Sequence, residues 1–129
     1  MKSGVAAGAI AGLISGLVGF VFGAVGYFAG LYAVGPVPLM NIASTQMVLA
    51  IIFGAIFGAI YSKLFDSIPS KGASKGLYFG LMIWLMGGVM SSTYIAFHTM
   101  EIPLATRLIF IGFFMWISYG PVLGVLYKK

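Results

Sequence analysis

The sequence predicts an all-α, polytopic membrane protein with four transmembrane helices, arranged as two parallel-repeat helical hairpins with both termini inside. Three observations predict it. The 129 residues include seven basic and two acidic side chains while 61% are hydrophobic, and an average soluble domain carries about a quarter charged residues. Four apolar segments of about 20 residues or more, each long enough to span a bilayer, are separated by short breaks. Three ordered matches relate the first half of the chain to the second.

The first span, near Gly4–Tyr32, is built on a glycine spine. Gly4, Gly8, Gly12, Gly16, Gly19, Gly23, Gly26 and Gly30 recur at steps of three or four residues. In water each interior glycine costs roughly 1 kcal/mol against alanine. In lipid a glycine stripe lets another helix approach until backbones touch, and van der Waals contact holds the pair. The stretch from Gly12 to Gly30 covers about 27 Å at the helical rise, close to the roughly 30 Å of a hydrocarbon core.

The second span is placed near Leu39–Ser62, the third near Gly76–Phe97 and the fourth near Leu104–Tyr127. Each carries its own pair of glycines four residues apart: Gly54 and Gly58, Gly76 and Gly80, Gly120 and Gly124. With Gly12, Gly16, Gly19, Gly23, Gly26 and Gly30 these form the expected helix-packing set. The breaks fall at Gly35–Pro38, Asp66–Lys75 and His98–Pro103. Pro38 and Pro103 stand where a helix begins, a position that suits a residue lacking an N–H. Gly120-Pro121 predicts a kink near the end of the fourth span.

Charge placement orients the spans. Lys2, Lys63, Lys71, Lys75, Lys128 and Lys129 fall at the N-terminus, the central loop or the C-terminus, and the other two loops hold Arg107 alone. The positive-inside rule then puts both termini and the central loop in the cytoplasm of a prokaryotic cell. This placement turns the net charge of +5 toward anionic headgroups and away from nucleic acid. Tyr61 and Tyr127, each two residues before a lysine, read as interfacial anchors. No cleavable signal peptide is evident, because the apolar N-terminal stretch is too long for one. Cysteine is absent, which excludes disulfides and thiolate metal sites.

The repeat is read from three matches. Gly8-Ala9-x-x-Gly12-Leu13-x-x-Gly16-Leu17 aligns with Gly72-Ala73-x-x-Gly76-Leu77-x-x-Gly80-Leu81. Val37-Pro38-Leu39 aligns with Ile102-Pro103-Leu104. Phe53-Gly54-x-Ile56-x-Gly58-x-Ile60-Tyr61-x-Lys63 aligns with Tyr119-Gly120-x-Val122-x-Gly124-x-Leu126-Tyr127-x-Lys129. The offsets are 64, 65 and 66. Residues 1–129 thus form one transmembrane domain with repeats of about 4–63 and 72–129. Two spans per repeat return the chain to its starting side, so the repeats are parallel, related by a pseudo-twofold axis along the membrane normal.

Polar residues within the spans gather toward the side away from the termini. Gln46, Ser91, Ser92 and Thr93 share a depth there, with Asn41, Ser44, Thr45, His98, Glu101 and Arg107 above or beside them, which suggests a small polar vestibule. Ser and Thr in membrane helices also bond their own backbone, and Glu101 with Arg107 fits a structural pair at a helix start. Trp84 and Trp116 lie near mid-depth, where they could contact an apolar ligand or pack against neighbours. One histidine and two carboxylates cannot assemble a metal cage, and no cofactor is expected. No nucleophile stands with a base and no phosphate loop occurs, so no enzymatic activity is expected.

Lys75-Gly76-Leu77-x-Phe79-Gly80-x-x-x-Trp84-Leu85, with Tyr119-Gly120-x-x-x-Gly124-x-x-Tyr127, resembles small four-helix integral membrane proteins of unknown function from bacteria and archaea. That resemblance implies the four-helix fold and no activity. The run Gly87-Gly88-x-x-Ser91-Ser92-Thr93-x-x-x-Phe97 with Asn41 is similar to the polar track of small fluoride channels, but the first-helix arginine and the Thr/Ser/Phe motif of those channels are missing. The function expected first is a non-enzymatic membrane subunit whose glycine faces pack against a partner subunit or copies of itself. A small channel or carrier with an outward polar vestibule is the alternative, and a lipid- or quinone-contacting accessory protein the third reading.

Overall fold

A computed structural model describes residues 2–30, 39–99 and 102–129, with side chains over 2–30, 44–98 and 105–129. The described residues form helices joined by turns. Helix α1 is Gly4–Phe28, α2 is Leu39–Leu64, α3 is Gly72–Ile83, α4 is Met90–Thr99 and α5 is Ile102–Leu126. A π-helical segment, Trp84–Val89, joins α3 to α4 in one long span. Four helical stretches are thus long and apolar enough to cross a bilayer: Gly4–Phe28, Ser44–Leu64, Gly72–His98 and Ala105–Leu126. They mark the chain as a membrane protein.

Helix α1 starts at Ser3, whose hydroxyl accepts the Ala6 N–H at 3.3 Å. It stops at Phe28, four residues before the expected end at Tyr32, and Tyr32 lies outside the described residues. The reason is Gly30, which takes a left-handed φ of +71° and has nothing within 4 Å of where a Cβ would stand. Gly30 therefore ends the helix, and none of the described residues lies against its Cβ position. The third span begins at Gly72 instead of Gly76, which shortens the central break to residues 65–71. Pro103 lies in the first turn of α5, and Pro121 sits inside that helix. Pro38 is outside the described residues.

Glycines hold the two closest helix crossings. Between α1 and α2, a Cβ at Gly4 would strike the Gly58 carbonyl, one at Gly8 the Gly54 carbonyl and one at Gly12 the Ala50 carbonyl. The contact is reciprocal, since a Cβ at Gly54 would stand 2.7 Å from the Gly12 Cα and one at Gly58 2.6 Å from the Gly8 Cα. Between α3 and α5, Gly76 meets Gly120 and Gly124 in the same manner, and Gly80 meets Trp116 and Gly120. Only glycine lets two helix backbones come this close. Gly16, further along α1, meets Ala50 and Met47.

Helix α1 also packs along α5, where Phe22 stacks on Phe114 with ring centroids 3.9 Å apart. The contact order is therefore α2, α1, α5, α3. The remaining side, α2 against α3, is bridged by aromatic rings at one end of the bundle. There Tyr61 meets Phe79, Phe65 and Tyr127, and Phe65 meets Tyr127. Lys75 lies under this cluster, donating to the Phe65 carbonyl with its ammonium 4.0 Å from the Phe65 ring centroid. Lys129 pairs with Asp66 beside it. Both termini and the 65–71 turn thus lie at one end, called here the terminal end. The expectation that Tyr61 and Tyr127 are interfacial anchors is corrected: they are 0% and 7% exposed, because they fill the space between α2, α3 and α5.

Candidate functional site

Toward the far end, α2 and α5 separate and leave a cleft of about 660 Å³ with α1 behind it. Its floor is Tyr119, whose hydroxyl donates to the Gly54 carbonyl at 2.7 Å and so ties α5 to α2. Trp116 stands above that bond, held edge-on by Phe57 at 5.1 Å and Tyr119 at 5.3 Å. Leu49, Ala50 and Phe53 wall the cleft on α2, and Leu108, Ile111 and Met115 on α5. Leu49, Phe53 and Leu108 remain 46%, 50% and 40% exposed, so the cleft opens sideways, toward lipid. Ser15 of α1 closes the back with its hydroxyl bonded to the Gly12 carbonyl at 3.0 Å.

Three polar residues mark the mouth: Thr45, Gln46 and Arg107. Gln46 donates to the Met115 sulfur at 3.7 Å. Gly19 makes room for both, since a Cβ there would lie 2.6 Å from Met115 Cγ and 2.8 Å from Gln46 Nε2. The fifth glycine of the spine thus contacts two cleft residues. Gly26 is buried and Gly23 is half-buried.

Of the other predicted polar residues, the four whose side chains are described (Ser91, Ser92, Thr93 and His98) are not brought into this cleft. Ser92 and Thr93 donate to the Gly88 and Val89 carbonyls of their own helix, at 2.7 and 2.8 Å. Ser91 is exposed on α4, and His98 stacks on Tyr94 with its Nδ1 3.0 Å from the Tyr94 carbonyl. The side chain of Asn41 and all of Glu101 lie outside the described residues. Among the described residues, Gln46 and Arg107 are therefore the two expected vestibule residues that share the cleft. Among the described residues no group of three or more His, Asp or Glu forms a cluster that could hold a metal.

The two tryptophans separate. Trp116 lines the cleft, whereas Trp84 turns to the other side of α5. Its indole donates to the Ile109 carbonyl at 3.3 Å and meets Phe113 edge-on at 5.1 Å. Gly88 and Gly112 seat this ring, with Cβ positions 3.1 and 3.7 Å from its Cδ1. Trp84 is one turn beyond Gly80 on the face that packs on α5, and the π-helical segment starts with it. A bulky ring on a glycine seam ends the close approach at that level.

Sequence reasoning missed Tyr119, Met115, Leu108, Ile111 and Phe53 as cleft residues. One signal was present for Tyr119: in the expected repeat it is aligned with Phe53, so that position carries a hydroxyl which Phe53 lacks. The aliphatic walls gave none, because lipid-facing and cleft-facing side chains have the same composition. No protein-family model matches the chain, nor does any curated protein or solved structure. The class is that of a polytopic membrane protein with a lateral apolar cleft.

Proposed function

We propose that the chain is a non-enzymatic accessory protein of the prokaryotic cytoplasmic membrane that receives the apolar chain of a membrane amphiphile between α2 and α5. The observation that carries this is the cleft itself: an apolar, sideways-open space with a closed floor and a polar mouth. Its volume is in the range of ordinary ligand pockets. The glycine pairs at Gly54/Gly58, Gly76/Gly80 and Gly120/Gly124 are taken up by contacts within the chain, which favours this reading over assembly through those faces. Lysines at the terminal end put that end in the cytoplasm by the positive-inside rule, and the cleft mouth in the opposite leaflet.

Duplication of one hairpin accounts for the two like crossings. Gly8 with Gly54 and Gly58 corresponds to Gly76 with Gly120 and Gly124, and Gly12 with Ala50 and Gly54 to Gly80 with Trp116 and Gly120. Tyr61 and Tyr127, at matched positions, meet ring to ring at 5.8 Å, as residues near a pseudo-twofold axis would.

The test uses Trp116 as the reporter in a Trp84→Phe background, reconstituted in bilayers of lipids brominated along the acyl chain. Trp116 fluorescence should be quenched strongly, and Ile111→Phe, which enlarges a wall of the cleft, should relieve the quenching. Equal quenching in both proteins would mean that lipid reaches Trp116 without entering the cleft, and would sink the reading.

A second reading has its own observation. Gly87 has none of the described residues within 4 Å of its Cβ position and lies beside Met86 and Met90, each 67% exposed. A helix of a partner subunit or of a second copy would dock there by close approach. Disulfide crosslinking of Met90→Cys, in a chain with no other cysteine, would capture a second copy. Monomer alone under oxidising conditions would remove self-assembly through this face.

A further inference from the structure

We infer that the cleft selects an anionic lipid of the leaflet opposite the termini, with its headgroup at Arg107 and one acyl chain running down to Tyr119; this rests on the proposed reading of the cleft as a chain-binding site. The first argument is length. From Arg107 to Tyr119 the α5 wall descends about 18 Å, and from Thr45 to Gly54 the α2 wall about 14 Å, at the helical rise. One leaflet contributes about 15 Å of hydrocarbon, half of a core of roughly 30 Å. The cleft is thus as deep as a single leaflet, and its floor stops a chain where the leaflet itself would.

The second argument is charge. The six lysines stand at the terminal end or in the central turn, so Arg107 is the one Lys or Arg in the far half of the chain. It is also a lining residue of the cleft. Arg107 is the one charged residue of a largely apolar helix, and such a cation is costly unless it has a functional or structural partner. Arg107 engages groups of its own surroundings, but a guanidinium has five N–H donors in a planar fork. Such a fork can hold a neighbour and still present donors to a phosphate or carboxylate.

The third argument is the arrangement at the mouth. Gln46 and Thr45 stand across from Arg107 on α2, one helix with amide and hydroxyl groups, the other with the charge. Headgroup oxygens and a glycerol backbone offer acceptors to each. Below this ring the lining is apolar apart from the Trp116 indole and two hydroxyls, of Ser15 and Tyr119, which are already bonded to the Gly12 and Gly54 carbonyls. Polar groups therefore meet the ligand at one level, which is what an amphiphile with one head and one tail requires. A solute polar along its length would leave its groups unpaired on the walls.

The experiment extends the Trp116 assay in the Trp84→Phe protein. Brominated chains are carried either by a lipid with an anionic phosphoglycerol headgroup or by a zwitterionic phosphocholine lipid, in mixed bilayers of otherwise equal composition. We expect an apparent preference of about fivefold for the anionic lipid, the ratio that roughly 1 kcal/mol per basic residue supplies. Arg107→Gln should abolish the preference, and Arg107→Lys should retain most of it, which separates loss of charge from loss of fold. Quenching that Ile111→Phe relieves, yet without headgroup preference, would leave the chain-binding reading standing and overturn this inference. Quenching that Ile111→Phe does not relieve would overturn both. A preference that persists in Arg107→Gln would also overturn it.

Discussion

Two tyrosines in this bundle make opposite predictions from one functional group. The Tyr119 hydroxyl donates to the Gly54 carbonyl, so Tyr119→Phe removes a tie between α5 and α2. The expected loss is roughly 0.5–1.5 kcal/mol, the size of interhelical hydrogen bonds in membranes, read as a lower midpoint in denaturant or SDS unfolding. The Tyr61 hydroxyl is buried with no hydrogen-bond partner among the described residues. Tyr61→Phe removes an unsatisfied group while keeping the rings of Phe65, Phe79 and Tyr127 in contact, so it should be neutral or stabilising. A destabilised Tyr61→Phe together with an unchanged Tyr119→Phe would contradict this account of the core. At the surface, the Lys129 hydrogen bond holds the Asp66 carboxyl below the usual carboxylate range. Its contribution is thus complete at neutral pH and fades as acid titrates the group. Exposed as both partners are, Lys129→Gln should leave the unfolding midpoint unchanged at pH 7.

At the scale of the helix, the glycines divide into two sets with opposite expected responses to alanine. Gly8→Ala and Gly76→Ala each drive a methyl into the backbone of the partner helix. The helices must then part, at a cost of about 1–3 kcal/mol. Gly87→Ala meets open space and should gain up to about 1 kcal/mol from helix propensity. Unfolding midpoints of the three variants, compared in one detergent, decide the matter. The same ladder shows what was readable beforehand. Four long apolar runs and a net charge gathered at one end were plain, because length and charge placement need no tertiary information. The register of the ladder was not. The sequence aligns Gly8 with Gly72 at an offset of 64, but equivalent contacts on the first helix of each pair fall at 68, as Gly8 with Gly76. A residue repeated every turn looks the same after sliding by one turn, so contacts alone can fix the register. Sliding it places Trp84 where α1 has Gly16, and the break in close packing at the π-helical segment falls there. Gly88 and Gly112, outside the four-residue ladder, serve to seat that indole, a role no spacing rule announces.

Over the whole molecule, two like hairpins form an unlike pair of sides. Helix α1 lies along α5, while α2 reaches α3 through aromatic side chains at the terminal end. The polar residues grouped toward one side in the sequence are consequently divided, Gln46 and Arg107 in the cleft and Ser92 and Thr93 bonded to their own helix. Depth along a membrane normal can be counted from a sequence, but azimuth around a helix whose period is broken by a π-helical segment cannot. Trp116 and Trp84 illustrate the same point, at similar depth but on different sides of α5.

The aromatic cluster at the terminal end has a mechanical meaning as well. Tyr61, Phe65, Phe79 and Tyr127 fasten three helices at one level, and the Tyr119–Gly54 bond fastens two of them higher up. Above that bond α2 is held along one flank by α1 and touches α5 through the long Gln46–Met115 hydrogen bond. A rod clamped at one end and guided on one side bends where it is unsupported. Spin labels at Ser44 and Leu108 should therefore give a broader distribution of distances than labels at Lys63 and Lys128, and occupation of the cleft should narrow the first distribution and leave the second alone. The protein would then act as forceps, with a rigid hinge on one side of the membrane and compliant tips on the other.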